Sequence, residues 1–209
     1  MSFFITIEGP DGSGKSTQAQ LLADHLQDKG HDVLFTREPG GTEIGDQIRR
    51  VIMSLDNKRM SPQAEFLLFS ASRAQLVREV IQPKLAAGGV VVCDRFYDSS
   101  LAYQGYGHQL DQDQLRSVTE FVTGGLLPDL TLLLDLPSEV GLNRRREAGL
   151  WNRLDDYDLA FHERVRAGYL RLAQSEPGRW VVIDGTRSPD EIQESVREVV
   201  QGRLPLKAR

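Results

Sequence analysis

Eight consecutive residues limit the folds open to this chain more than any other feature. Gly9-Pro10-Asp11-Gly12-Ser13-Gly14-Lys15-Ser16 fills every fixed position of the pattern G-x-x-x-x-G-K-[ST]. It follows an apolar strand candidate, Phe3 to Ile7, and opens a helical stretch from about Ser16 to Lys29. In that setting the motif forms a loop that wraps phosphate. Its glycines let successive backbone N–H groups turn toward phosphate oxygens, and the helix N-terminus adds its dipole. Lys15 supplies a point charge for the β and γ phosphates, and the Ser16 hydroxyl is suited to Mg2+. The expected contacts of a nucleoside triphosphate are therefore Gly9, Pro10, Asp11, Gly12, Ser13, Gly14, Lys15, Ser16 and the adjoining Thr17.

The rest of the chain repeats the same rhythm of short apolar strand, loop and amphipathic helix. Further strands are expected at His31–Thr36, Gly89–Cys93, Leu130–Leu134 and Trp180–Ile183. Helices are expected from Ser61-Pro62 to about Leu85, from Asp111 to about Thr123, from about Ser138 to Glu147, from about Asp156 to Gln174, and from about Pro189 to Val200. Continuously apolar strands separated by helices indicate an α/β chain with a parallel sheet covered on both faces. No repeat or linker divides the sequence, so a single domain over 1–209 is expected. Two stretches interrupt the rhythm: Gly40 to Lys58, read as irregular, and the charge-dense Arg144 to Asp155. Long insertions in such folds are often lids or binding loops.

Composition narrows the partners. The net charge is −5, with neither half strongly basic, so bulk attraction to nucleic acid or to a membrane surface is not expected. One cysteine, Cys93, excludes an internal disulfide and reads as a buried strand residue, and the four histidines are scattered. No apolar run is long enough to span a bilayer, and the first residues lack a signal-peptide pattern, which makes the cytoplasm the expected location. Of the 25 basic residues, 20 are Arg. That excess fits either genome composition or a site that grips anions with bidentate forks.

A phosphate loop alone does not say kinase. A guanine-reading N-K-x-D is missing, because Asn57-Lys58 is followed by Arg59-Met60. The acidic strand ends read Asp94-Arg95 and Asp135-Leu136 rather than the Asp-Glu of many ATPase motors. Arginine-rich segments at strand ends favour phosphoryl transfer to a small phosphorylated acceptor. The alternatives are a kinase of a different pyrimidine nucleoside monophosphate, a nucleoside kinase, and a nucleotide-binding switch.

Four more segments join the loop. Arg37-Glu38-Pro39-Gly40-Gly41-Thr42 follows the second strand, and Asp94-Arg95-Phe96 follows the third, both where open α/β sheets bind ligands. Phe69-x-x-x-Arg73-Ala74-Gln75 and Ser99-Ser100-x-Ala102-Tyr103-Gln104-Gly105 complete the set. Together they closely resemble thymidylate kinase, from Phe3 to about Val200. The resemblance implies transfer of the ATP γ-phosphoryl group to dTMP, with Mg2+ accompanying ATP. It also implies a homodimer that packs helix against helix. The implied fold is the P-loop nucleoside-monophosphate-kinase type, a five-stranded parallel sheet with helices on both faces and a short lid at about 144–155.

Chemistry supports roles for single residues. The acceptor phosphate is already an anion and needs no base, so alignment and charge neutralisation dominate. Arg37 and Arg95, at neighbouring strand ends, are expected to hold the dTMP phosphate, with Arg95 also stabilising the transferring group. Glu38 orients these arginines or a metal-bound water. Asp94 is the expected indirect Mg2+ holder with Ser16, and Asp135 is its rival by pattern. By family likeness, Asp11 accepts from the dTMP 3′-hydroxyl. Phe69 and Arg73, four apart on one helix face, are suited to stack on the base and donate to a thymine oxygen. Ser100 and Gln104 share the same spacing as base readers, and Tyr103 is expected against the sugar. A thymine methyl is worth only about 1–3 kcal/mol, so dUMP is expected to be a weak substrate and not an excluded one.

Arg144, Arg145, Arg146 and Arg153 put four arginines in ten residues of the lid segment. Gly12 and Ser13 bring no arginine to the loop, and the resemblance is to the bacterial subtype that supplies catalytic arginine from the lid. Arg146 and Arg153 are the first candidates, with Arg144 placed at ATP. The family borders adenine with the Asp184-Gly185-Thr186-Arg187 segment. Phe96 stands where Tyr is usual, and Asn152 where many relatives carry an acid.

Overall fold

A computed structural model describes residues 2–204, so residues 1 and 205–209 of the expected domain lie outside the described residues. The five apolar runs are strands: β1 (Phe3–Glu8), β2 (Val33–Arg37), β3 (Val90–Asp94), β4 (Leu130–Asp135) and β5 (Trp180–Asp184). They form one sheet in the order β2-β3-β1-β4-β5, with every neighbouring pair parallel. All six residues of β1 are buried, as a central strand covered on both faces requires. Leaving β1, the chain first fills the β3 side and then crosses to β4. Ligands of open α/β sheets bind above such a reversal.

Nine helices are described: α1 (Lys15–Asp28), α2 (Glu43–Met53), α3 (Pro62–Leu76), α4 (Gln82–Ala86), α5 (Tyr97–Ser100), α6 (Gln112–Thr123), α7 (Ser138–Glu147), α8 (Leu159–Ser175) and α9 (Pro189–Arg203). On one sheet face, Ile5, Ile7, Val92 and Leu132 pack with Leu22 of α1 and Val196 of α9. On the other, Phe4, Val91 and Leu133 pack with Phe66 of α3, Leu115 of α6, and Phe161 and Tyr169 of α8. The alternation of Phe4 with Ile5 and Val91 with Val92 sorts the strands between the two cores.

Caps confirm most helix starts. Ser61 accepts from Ala64 N with Pro62 in the first turn, and Ser188 and Glu191 form a capping box. Asp111 accepts from Gln114 N, the backbone half of the box expected there. Three stretches need correction. Gly40 to Lys58 is not irregular throughout, since it contains α2, whose Thr42 cap accepts from Gly45 N and whose first turn holds Glu43 and Asp46. Tyr97 to Gly107, given no element by strand-and-helix patterning, is α5 continued by a wide helical turn over Leu101–Gly107. The helix expected from Asp156 starts later, at Leu159. Arg153–Asp156 is a separate tight turn capped reciprocally by Asn152 and Asp155.

Candidate active site

The strand ends deliver the site. Thr6 and Ile7 of β1 stand beside Cys93 and Asp94 of β3, and Arg37 of β2 stands beside Asp94 on its other side. The phosphate loop rises from Glu8 into α1. Gly14 caps α1 at φ 89, a left-handed conformation that glycine adopts freely, and no side chain fills the helix end. The first N–H groups of α1 therefore stay open to an anion.

Above this junction lies a cavity of about 450 Å3. Its lining includes Asp11, Gly12, Gly14, Lys15, Ser16 and Thr17 from the loop. Gly9, Pro10 and Ser13 form the loop's inner side. Lys15 Nζ donates to Pro10 O at 2.6 Å and Ser13 Oγ at 3.2 Å, and Arg95 Nη1 donates to Gly9 O at 3.1 Å. Burial, with the cationic Arg95 nearby, pushes the Lys15 ammonium down to about 7.

Arg95 sits at φ 70, in the left-handed region rare for non-glycine residues. Its backbone N–H bonds to Ile7 O, and Phe96 N–H bonds to Glu8 Oε1, which fixes the turn from both sides. The guanidinium lies 2.7 Å from Asp11 Oδ1 and also meets the hydroxyls of Ser99, Tyr103 and Tyr169. Tyr103 donates to Asp11 Oδ2 at 2.6 Å. Burial alone would raise the Asp11 carboxyl, but Arg95 and Lys15 outweigh it and hold Asp11 well below the usual carboxylate range. Thus Asp11, Arg95 and Tyr103 are brought together as one preorganised group. Beneath them Glu8 is fully buried and accepts from Phe96, Ser99 and Tyr169. Burial, reinforced by nearby Asp98, pushes it up to about 7.

Arg37 and Arg49 line the same cavity. Arg49 reaches it from α2 and is fixed by a 2.8 Å bond to Pro39 O, with Arg37 and Arg95 close enough to repel it. Sequence reading passed over Arg49 because α2 itself went unseen; the Thr42 cap was the available signal.

The remaining residues expected on the acceptor side also gather. Phe69, Ser100, Tyr103 and Gln104 line the cavity. Arg73 lies just behind, fully buried, with Nε 2.8 Å from Glu38 Oε2 and Nη2 2.9 Å from Ser100 Oγ, while its Nη1 is buried without a partner. Glu38 therefore holds Arg73, and not Arg37 or Arg95, the arginines expected for it. Burial pushes Glu38 up to about 7 despite this partner. Gln104 donates through Nε2 to buried Glu65 at 2.7 Å.

The lid arginines are redistributed. Arg144 and Arg145 line the cavity; Arg144 donates to Gly185 O at 3.2 Å, and Arg145 Nη2 bonds Asp155 Oδ2 at 2.7 Å. Arg146 does not line it, since its guanidinium lies over the Trp151 ring at 5.0 Å. Arg153 is turned away and buried, 2.6 Å from Glu65 Oε2, 2.7 Å from Ile52 O and 2.8 Å from the Tyr157 hydroxyl. The placements expected for Arg146 and Arg153 are therefore corrected, and Arg145 is the residue that was passed over. The physical reason is Glu65, a buried anion 88 residues away in sequence, which captures Arg153.

For a metal, the donor set is oxygen only. Ser16 Oγ donates to Asp94 Oδ2, and Asp94 Oδ1 is buried without a partner. Among the described residues no cluster of three or more His, Cys, Asp or Glu side chains is placed to cage an ion. This arrangement fits Mg2+, which keeps waters and substrate phosphates as most of its shell. The rival Asp135 is taken by a bidentate pair with Arg166 at 2.8 Å.

Comparison with known proteins agrees with this geometry. The family model described as thymidylate kinase matches residues 7–196. The thymidylate kinase of an Exiguobacterium species is 52% identical over 201 residues, covering 96% of this chain and 95% of the relative. That of Deinococcus radiodurans is 51% identical over 200 residues, covering 96% and 97%. The crystal structure of thymidylate kinase from Ehrlichia chaffeensis superposes with a TM-score of 0.80 at 32% identity, over 96% of this chain and 99% of that one. The sheet order and flanking helices are those of the P-loop nucleoside-monophosphate-kinase fold. With the match running from the first strand into the last helix, the chain belongs to the thymidylate kinase family.

Proposed function

We propose that the chain, acting as a single kinase domain with a lid at about 144–155, transfers the γ-phosphoryl group of ATP to dTMP, giving dTDP and ADP. The observation that carries this reading is the meeting of Arg37, Arg49 and Arg95 with Lys15 in one cleft. A nucleotide switch has no use for three acceptor-side arginines. A nucleoside kinase would need a base beside a neutral hydroxyl, whereas this cleft is built to hold a second anion.

The triphosphate lies along the open N–H groups of α1, drawing Lys15 from Pro10 O and Ser13 Oγ. Arg144, beside Gly185, faces the nucleotide. Ser16 and Asp94 would hold Mg2+, which would supply neutralisation of the triphosphate charge. The dTMP phosphate sits among Arg37, Arg49 and Arg95, its sugar against Tyr103 and Asp11, and its base between Phe69 and the Ser100, Gln104 and Arg73 side. Arg95 spans acceptor and loop, which suits it to the charge that spreads during transfer. Arg145 takes the lid role, released from Asp155 as the lid closes.

We also propose a homodimer and a cytoplasmic setting. Leu67 of α3 and Phe121 of α6 are 57% and 86% exposed on helices that pack side by side, an apolar face suited to a second copy. Among the described residues no helix is long and apolar enough to cross a membrane. The test is ADP release from ATP with dTMP, dUMP, UMP, dCMP and AMP in turn. Highest kcat/KM for dTMP and weaker turnover of dUMP are expected; equal turnover of dUMP and dTMP at low concentration overturns the proposed base pocket.

A further inference from the structure

One buried carboxylate behind the base pocket collects donors from two separate segments, 104–108 and 153–157. Glu65, on α3, has a fully buried side chain. Its Oε1 accepts from Gln104 Nε2 at 2.7 Å and lies 3.3 Å from His108 Nε2. Its Oε2 accepts from Arg153 Nη2 at 2.6 Å and from the Tyr157 hydroxyl at 3.0 Å. Burial alone would raise this carboxyl, but His108, Gln104 and Arg153 outweigh it and hold it below the ordinary Glu range. Glu65 is therefore an anion, able only to accept.

A glutamine amide facing a ligand can present either its carbonyl or its NH2. A carboxylate on its far side removes that freedom, because oxygen against oxygen repels while N–H against oxygen bonds. Gln104 lines the cleft beside Phe69 and Ser100 with its nitrogen committed to Glu65. We propose that Glu65 is a positioning residue that locks the Gln104 amide with its carbonyl turned to the acceptor base, so that the site selects pyrimidines bearing an N3–H and rejects cytosine. Thymine and uracil donate from N3 to that carbonyl. Cytosine has a lone pair at N3, and two acceptors face each other with neither satisfied. Arg73, as a donor to a thymine oxygen, acts in the same direction, so loss of Glu65 removes only part of the discrimination. The inference rests on the placement of the base against Gln104 proposed above.

Glu65→Gln leaves a neutral group that both donates and accepts, which frees the Gln104 amide to flip. The readout is the ratio of kcat/KM for dTMP to that for dCMP on one preparation, where the fraction of active enzyme cancels. That ratio is expected to fall about tenfold. The dTMP-to-dUMP ratio is expected to hold, since both bases carry N3–H, and general loosening of the pocket would move it. Because Glu65→Gln alone strands the buried Arg153 cation, the same ratios are measured on Glu65→Gln/Arg153→Met, where both charges leave together. Gln104→Met is expected to lose the same discrimination, with Glu65→Gln adding nothing on top of it. A dTMP-to-dCMP ratio within about twofold of wild type in the Glu65 variants, while Gln104→Met lowers it, overturns the role of Glu65. If Gln104→Met changes neither that ratio nor the KM for dTMP, the base does not lie against Gln104 and the pocket reading itself falls.

Discussion

Replacing Arg153 by Met separates a structural arginine from a transferring one. The guanidinium is 2% exposed and bonds Glu65 Oε2 at 2.6 Å, Ile52 O at 2.7 Å and the Tyr157 hydroxyl at 2.8 Å. Methionine fills similar space but leaves Glu65, itself fully buried, without its counter-ion. Breaking a buried pair from one side costs about 3–5 kcal/mol, because the remaining charge stays desolvated. For a domain of this size each kcal/mol lowers Tm by about 2–4 °C, so the shift expected is about 6–20 °C. The assay is thermal unfolding followed by circular dichroism at fixed protein concentration, alongside kcat on the folded enzyme at 20 °C. The expected result is a large drop in Tm with kcat reduced far less than for an arginine that touches the transferring phosphoryl group. A kcat loss of about 10³-fold with Tm within about 2 °C of wild type would refute the structural assignment and restore the lid role that the family resemblance implies for Arg153.

Three further outcomes follow from the same geometry. Lys15, at about 7 before ligand binds, is returned toward its ordinary value by a triphosphate. Nucleotide affinity is therefore full below pH 7 and falls as pH rises through it, with proton uptake measurable by calorimetry in buffers of different ionisation enthalpy; pH-independent binding from 6.5 to 8.5 contradicts this. A Cβ at Gly141 would lie 2.0 Å from Asp11 O, and one at Gly12 would lie 2.1 Å from Gly141 O, so α7 and the phosphate loop touch backbone to backbone. Gly141→Ala is expected to lower kcat/KM by about 10²-fold through loop displacement, and wild-type kinetics would exclude this contact as a determinant. Phe121→Glu, on the exposed face of α6, is expected to give a monomer by sedimentation; an unchanged oligomer places the interface elsewhere.

Most of the scaffold was legible because its determinants are local. An apolar strand before the phosphate loop, Pro62 after Ser61, and Ser188 three residues ahead of Glu191 each act within a turn or two of the chain. The α2 helix was legible in principle, through Thr42 and the acidic Glu43 and Asp46, but the glycines at 40 and 41 masked it. The wide turn over Leu101–Gly107 had no such signal. Its hydrogen-bond spacing departs from the helical period and is secured by packing on α8.

By itself the sequence determined the sheet and the phosphate loop and put Arg37 and Arg95 at strand ends, positions that short-range periodicity specifies. Phe69, Ser100, Tyr103 and Gln104 were singled out by the family resemblance, and the fold brings them, from two separate helical segments, to one cavity. Only tertiary structure decided which lid arginine enters the cleft and what holds Gln104. Arg145 and Arg146 are adjacent, and the turn of α7 sends one into the cavity and the other onto Trp151. Arg153 is drawn inward by Glu65, and Gln104 is oriented by the same carboxylate. A buried charge must find its partners wherever the fold brings them, and no spacing in the sequence records that meeting.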